Sequence, residues 1–466
     1  MITSPTWRGK RFAVLGLARS GAAVVRALVA SGAEVVAWDS NEAARAALLP
    51  GTGRGTSEAG GGGLAPCVAI AEAPLRHPAD GPPPRAGEEL SFADPETIDL
   101  AGFDGLVVSP GVPINRHPVA AKARAAGVPV IGDIELFAQA RASLPPHKVV
   151  GITGTNGKST TTALIHHILE TAGVPARLGG NIGKPILGEE PLPDGGVYVL
   201  ELSSYQIDLT TSLDCDVAIL LNITPDHLDR YDGFEGYAAS KARLFAIQSL
   251  DHAAIIGIGD AASARIARSL SARGEHLTKI APGMCMDQSR WPSLQGPHNA
   301  QNALAAIDAC KALGVDDAAI DRGLESFAGL PHRMELVASR DGVAFVNDSK
   351  ATNPESTAPA LAAFSRIHWI VGGQAKTDDL DACAPWFGHI ARAYTIGEAG
   401  PRFAAILTPH MSVEESGTLV QAVKSAAANA RSGDTILLSP ACASFDQFRD
   451  FEDRGDRFRS LVGGLA

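Results

Sequence analysis

The chain of 466 residues is long enough for three domains at about 150 residues each, and a 45% hydrophobic share supplies real cores. Its 40 Lys and Arg residues against 51 Asp and Glu leave a net charge of −11, which excludes a nucleic acid or a membrane surface held by bulk electrostatics. Any phosphate must therefore be held locally.

Strand-like apolar runs alternate with Ala-rich helical stretches over most of the length, the pattern of α/β domains with mostly parallel sheets. The first block opens with a strand at 11–15, turns at Gly16, and continues through a helix at 22–31 to a strand at 34–38 that ends on Asp39. Between 50 and 95 the pattern lapses into GTGRGTSEAGGGG and GPPPRAG, read as a flexible and dispensable surface insertion. Much of the chain's excess of 49 glycines and 30 prolines sits there. Order resumes with a strand at 105–109. The second block has strands at 148–153, 197–202 and 217–223 and helices at 234–250 and 299–313; the third has strands at 343–346, 368–371, 393–396 and 435–438. Cys67, Cys215, Cys285, Cys310, Cys383 and Cys442 make no CxxC pair, so neither a zinc site nor a disulfide framework is expected. With no apolar run near 18 residues and no apolar leader in MITSPTWRGKRFAVLG, a soluble cytoplasmic protein is expected.

The strongest chemical signal is Gly151-Ile-Thr-Gly-Thr-Asn-Gly-Lys-Ser159, between a strand and a helix. Ile152 stands where a strict Walker A loop has Gly, so the loop is a variant. Gly154 and Gly157 let backbone N–H groups curl round a polyphosphate at a helix N-terminus, Lys158 neutralises the outer phosphates, and Ser159 offers its hydroxyl to Mg²⁺. A Ser- or Thr-capped turn is the ordinary alternative. Gly16-Leu-Ala-Arg-Ser-Gly21 nearly matches GxGxxG, but Ala18 replaces the glycine that allows closest approach to a pyrophosphate. With Asp39 ending the next strand, a nucleotide-like ligand fits better than NAD. Glu201 and the Asp226-His227 pair follow apolar strands and would meet beside the phosphate loop, where a carboxylate and an imidazole suit a divalent metal. Asn347-Asp-Ser-Lys-Ala-Thr-Asn353 and Ser439-Pro-Ala-Cys-Ala-Ser-Phe-Asp-Gln-Phe448 each follow a strand. Together they read as a site for a small polar substrate, although either alone is an ordinary polar turn.

Taken together the motifs resemble the Mur ligase family over nearly the whole chain. They are GLARSG (16–21), SPG (109–111), GDIEL (132–136), TGTNGKST (153–160), GGNIG (179–183), ELSSYQ (201–206), NITPDHLDRY (222–231), HNAQNALAA (298–306), GLPHR (329–333), NDSKATN and SPACASFDQF. GDIEL, NDSKATN and SPACASFDQF look like the D-glutamate-adding members. The resemblance implies an α/β protein of three domains: a Rossmann-like UDP-sugar domain (1–131) carrying the 50–95 insertion, a central P-loop ATPase-like domain with a mostly parallel sheet (132–329), and a Rossmann-like D-glutamate domain (330–466). It implies a cytoplasmic, monomeric enzyme of peptidoglycan precursor synthesis that uses ATP and two Mg²⁺ ions to join UDP-MurNAc-L-Ala to D-glutamate through an acyl phosphate.

The same resemblance places Gly154, Thr155, Asn156, Gly157, Lys158, Ser159, Thr160, Asn302, Arg333 and Asp348 on ATP. Ser159, Glu201, His227 and a carbamylated Lys241 fall on metal, and Lys158, Glu201, His227 and Lys241 form the catalytic group. Arg19, Ser20, Asp39, Ser40, Ser109, Gly111, Asn181 and Gln206 fall on the UDP-sugar, and Lys350, Thr352, Lys376, Ser444 and Phe451 on D-glutamate. From spacing alone Lys241 reads as a solvated helix lysine. The competing readings are another Mur-type or folylpolyglutamate-type amino-acid ligase, and a nucleotide-binding dehydrogenase or regulatory protein built on the Gly16 turn.

Overall fold

The computed structural model describes residues 1–48, 90–226, 230–281 and 286–465. Among them the chain forms three β-sheets and divides into two compact units: one of residues 1–145, 183–191 and 205–213, the other of 146–182, 192–204 and 214–466.

The first unit holds β1 (Arg11–Leu15), β2 (Glu34–Trp38), β3 (Leu90–Phe92), β4 (Gly105–Val108) and β5 (Val130–Ile131), all parallel, in the order β3-β2-β1-β4-β5. That is the doubly wound order of a Rossmann-type sheet. Ala13, Leu15, Val36, Leu106 and Val108 form its core with Phe103 and Val119. The helix after β1 spans Arg19–Ala30, starting three residues before the expected position. The insertion expected over 50–95 lies mostly outside the described residues, but its end is corrected: Leu90–Phe92 pairs with Val35–Ala37 as an edge strand. Three half-buried residues at an edge carry too little apolar pattern to be read as a strand.

The second unit carries two sheets. In the first, β6 (His147–Thr153), β7 (Ala176–Gly180), β8 (Gly196–Glu201), β9 (Val217–Leu220), β10 (Ala253–Gly257) and β11 (Leu277–Ile280) run parallel in the order β11-β10-β9-β6-β8-β7. The apolar faces of the helices Lys158–Thr171 and Pro297–Ala312 pack on Val150, Ile152, Val199 and Ile219. The other sheet has β12 (Glu335–Arg340), β13 (Val343–Asn347), β14 (Ile367–Gly372), β15 (Ile390–Ile396), β16 (Val413–Gly417) and β17 (Thr435–Leu438) in the order β12-β13-β17-β14-β15-β16, with only the β12–β13 pairing antiparallel among the described residues. It is buried on both faces, by clusters around Trp369 and Phe403 on one side and Tyr394 and Phe458 on the other. The edge strands β7, β12 and β16 escaped the sequence reading because their residues are mostly half-buried or exposed and mixed in polarity.

Candidate functional site

The register of the sheet explains the placement of the phosphate loop. β6 lies between β8 and β9, pairing Ile152 with Glu201 and Thr153 with Leu220, so Glu201 and Asn222 flank the loop that follows Thr153. Asn222 clamps that loop. Its Oδ1 accepts the Asn156 N–H at 2.9 Å, its Nδ2 donates to the Asn156 carbonyl at 3.0 Å, and its own carbonyl accepts the Thr155 N–H at 2.9 Å. Gly157 then opens the helix Lys158–Thr171 with a left-handed φ of 88°. A Cβ there would stand 2.4 Å from Asn302 Oδ1. Lys158 Nζ lies back on the loop, donating to the carbonyls of Gly154 (2.9 Å) and Thr155 (2.7 Å). Burial holds its pKa below the usual lysine value; Glu201 and Asp226 oppose that shift and Arg333 adds to it.

Charged groups from separate elements converge here. Arg333, from the segment that leads into β12, donates through Nη2 to Ser159 Oγ at 3.0 Å. Burial lowers its pKa against the pull of Glu201 and Asp348. Glu201 is 2% exposed. One of its oxygens accepts Asn181 Nδ2 at 2.8 Å, and the other is buried with no hydrogen-bond partner among the described residues. Hard oxygen donors from Ser159 and an undersatisfied carboxylate suit Mg²⁺, although no group of three His, Cys, Asp or Glu side chains is assembled for a metal among the described residues. Lys241, on the helix Gly233–Ala246, corrects its reading as a solvated lysine. It is 2% exposed, with Nζ donating to the Gly154 carbonyl at 2.9 Å and lying 4.6 Å from the Tyr237 ring centre. His227 lies outside the described residues.

A cleft extends from the loop, bringing together Asn156, Gly157, Thr160, Asn302, Arg333 and Asp348, six of the residues placed on ATP. Burial raises the Asp348 carboxyl to about 7, although Ser439 Oγ (2.7 Å) and the Met334 N–H (3.2 Å) donate to it. The cleft also takes in Asn222 and His298, which the sequence reading did not assign. His298 Nδ1 is buried without a partner among the described residues, and burial drops its pKa to about 4. Both residues sit inside recognised motifs, NITPDHLDRY and HNAQNALAA, so the signal was present but not resolved to single positions.

The loop after β13 meets the start of the helix Phe451–Gly463 at Lys350 and Phe451, with Nζ 3.7 Å from the ring centre. Burial first, then Arg333, lowers the Lys350 pKa to about 8; Glu201 and Glu452 oppose the shift. Ser444 is buried, Thr352 is half-buried and Lys376 is exposed. The unassigned Arg454 lies beneath them, 1% exposed.

In the first unit Asp39 organises the turn after β1, accepting the N–H groups of Leu17 (2.6 Å) and Asn41 (2.8 Å). Ser109 Oγ donates to the Gly16 carbonyl at 2.7 Å, joining the SPG turn to GLARSG. Arg19, Ser40 and Gly111 are exposed and Ser20 is half-buried. Gln206 is buried and hydrogen-bonds Asp133, whose carboxyl burial raises to about 6. Asn181 belongs to the second unit, where it holds Glu201.

A variant phosphate loop on a parallel sheet, met by an arginine from the segment that leads into the following sheet, defines a P-loop nucleotide-binding protein of modular α/β build. The Mur ligase middle domain matches residues 152–283 and the Mur ligase, glutamate ligase domain matches 332–442. Over its full length the chain is 59% identical to the UDP-N-acetylmuramoylalanine–D-glutamate ligases of Novosphingobium aromaticivorans and Sphingopyxis alaskensis, covering 97% and 100% of those proteins. The UDP-N-acetylmuramate–alanine ligase of Thermotoga maritima shares the fold, with a TM-score of 0.55 at 15% identity over 97% of this chain and 99% of that one. The chain belongs to the Mur ligase family. No helix among the described residues is long and apolar enough to cross a membrane.

Proposed function

We propose that the protein is an ATP-dependent ligase that adds D-glutamate to UDP-N-acetylmuramoyl-L-alanine in peptidoglycan precursor synthesis, acting as a cytoplasmic monomer. The observation that carries this reading is the link from phosphate loop to amino-acid loop: Arg333 touches Ser159, and the Lys350 N–H donates to the carbonyl of His332 beside it. The substrate pair follows from the relatives' printed names. Residues 1–131 take the UDP-sugar, 132–329 ATP, and 330–466 D-glutamate.

A carboxylate resists amide formation because its leaving group is poor. Attack of the substrate carboxylate oxygen on the γ-phosphorus breaks the bond to ADP and leaves an acyl phosphate, whose carbonyl the D-glutamate amine attacks with loss of phosphate and a proton. The N–H groups of the loop and helix start face the polyphosphate. Lys158 exchanges its loop carbonyls for phosphate oxygens, and Arg333 adds a second cation where charge develops. Ser159 and Glu201, with His227 and a carbamylated Lys241, would hold two Mg²⁺ ions, which supply charge neutralisation on the transferring phosphoryl group. Lys350 and Lys376 answer the two carboxylates of D-glutamate, with Thr352, Ser444 and Phe451 fixing its orientation.

Phosphate release measured across candidate amino acids tests the reading. Release that needs UDP-MurNAc-L-Ala and D-glutamate together is expected. Release supported instead by L-alanine, a diamino acid or a folate would overturn it in favour of another Mur-type or folylpolyglutamate-type ligase.

A further inference from the structure

Arg454 is among the most deeply buried charged side chains of the protein, on the helix Phe451–Gly463. Its Nε donates to Ser349 Oγ at 2.9 Å, Nη2 to the carbonyls of Ser349 (2.8 Å) and Cys442 (3.0 Å), and Nη1 to the carbonyl of Ala443 (3.3 Å). All four acceptors are uncharged. A structural arginine this deep ordinarily has a carboxylate bonded against it, because desolvating an unmatched guanidinium is costly; here Asp446 and Asp348 act on it only through space.

The acceptors are distributed in a telling way. Ser349 immediately precedes Lys350, and Ala443 immediately precedes Ser444. Ser349 Oγ also donates to the carbonyl of Phe451, at 2.8 Å, on the helix that carries Arg454 itself. Ala443 and Gln374 exchange two backbone hydrogen bonds of 2.9 Å, which ties in the loop that leads to Lys376. Gly373 leaves the room for this junction, since a Cβ there would fall 2.4 Å from the Ala443 carbonyl and 3.2 Å from Arg454 Nη1. One planar fork thus fixes the neighbours of Lys350, Ser444, Phe451 and, through Gln374, Lys376.

We infer that Arg454 is a positioning residue for the dicarboxylate amino acid: its guanidinium sets the spacing of the loops that carry Lys350 and Ser444, and its charge, to which no carboxylate is hydrogen-bonded, adds positive potential from beneath that site. The inference rests on the assignment of this site to D-glutamate. A lysine keeps the charge but not the fork, because it presents a single ammonium on a flexible stem in place of five fixed donors.

Steady-state phosphate release with each substrate varied in turn provides the test on the full-length enzyme. Arg454→Lys is expected to raise the KM for D-glutamate about tenfold or more while the KM values for ATP and UDP-MurNAc-L-Ala stay within about twofold. Arg454→Met is expected to raise it further. Ser349→Ala, which removes one acceptor and keeps the guanidinium, gives a smaller rise of the same selectivity and serves if the Arg454 variants fail to fold. A purely structural arginine would shift all three KM values together, or leave Arg454→Lys and Arg454→Met alike, and either result overturns the inference; so does a soluble Ser349→Ala enzyme with an unchanged KM for D-glutamate. Wild-type enzyme that ignores D-glutamate overturns the functional reading instead, which separates the two failures.

Discussion

Gly157 is where the phosphate loop makes a steric demand that can be put in numbers. An alanine there would keep the left-handed φ of 88°, at roughly 1–2 kcal/mol for an L-residue. Its Cβ would also stand 2.4 Å from Asn302 Oδ1, about 1 Å inside ordinary contact. Asn302 cannot simply withdraw, because its Nδ2 is bonded to Asn299 Oδ1 at 3.1 Å. Overpacking of this kind costs roughly 1–3 kcal/mol, so Gly157→Ala should lose about 2–5 kcal/mol within the nucleotide site. Gly173 supplies the control. It follows the same helix with φ 76° and has nothing within 4 Å of its added Cβ, so Gly173→Ala carries the backbone strain without the collision. Titration of a fluorescent ATP analogue should show at least a tenfold loss of affinity for Gly157→Ala, about 1.4 kcal/mol, and none for Gly173→Ala. An analogue affinity within twofold of wild type in Gly157→Ala would refute the reasoning.

Three further outcomes are expected. Asn222→Ala removes two side-chain hydrogen bonds to Asn156 and should weaken the ATP analogue roughly thirtyfold, at about 1 kcal/mol per bond, without changing UDP-sugar affinity. Lys350 is charged below about pH 8 and loses that charge as the pH rises through it. Inhibition by glutarate, which has no amine to titrate and is fully ionised above about pH 6, should therefore be steady between about pH 6 and 7 and weaken above pH 8, and Lys350→Arg should abolish that weakening; a flat glutarate profile to pH 10 in wild type contradicts it. Lys241→Ala should lose most activity and recover part of it with added short carboxylates, as a carbamate-bearing lysine requires; no recovery would leave the lysine acting through its ammonium on the Gly154 carbonyl.

Much of this site was legible from local sequence. The phosphate loop, the carboxylate that ends β8 and the two polar loops of the last sheet are each encoded within about ten consecutive residues, and the strands that present them are apolar enough to be read unaided. The half-buried strands Leu90–Phe92 and Val413–Gly417 were not, because edge strands need no apolar alternation. Lys241 shows the same limit in a side chain. Helical spacing placed it in solvent, whereas packing against Tyr237 and the Gly154 carbonyl buries it.

By itself the sequence determined which residues are the candidates for phosphate, carboxylate and amine chemistry, because loop glycines, a helix start and charged strand ends act over short stretches of chain. Only the tertiary structure decided how they are joined: Asn222 gripping the phosphate loop from 66 residues away, Arg333 reaching Ser159 across 174, and Arg454 holding Ser349 across 105. Such contacts depend on strand order and register, which set neighbours in space independently of their separation along the chain. The opening inference from net charge, that any phosphate must be held locally, thus narrows to the proposed site at the loop, where Arg333 reaches Ser159 and Lys158 lies on the loop carbonyls.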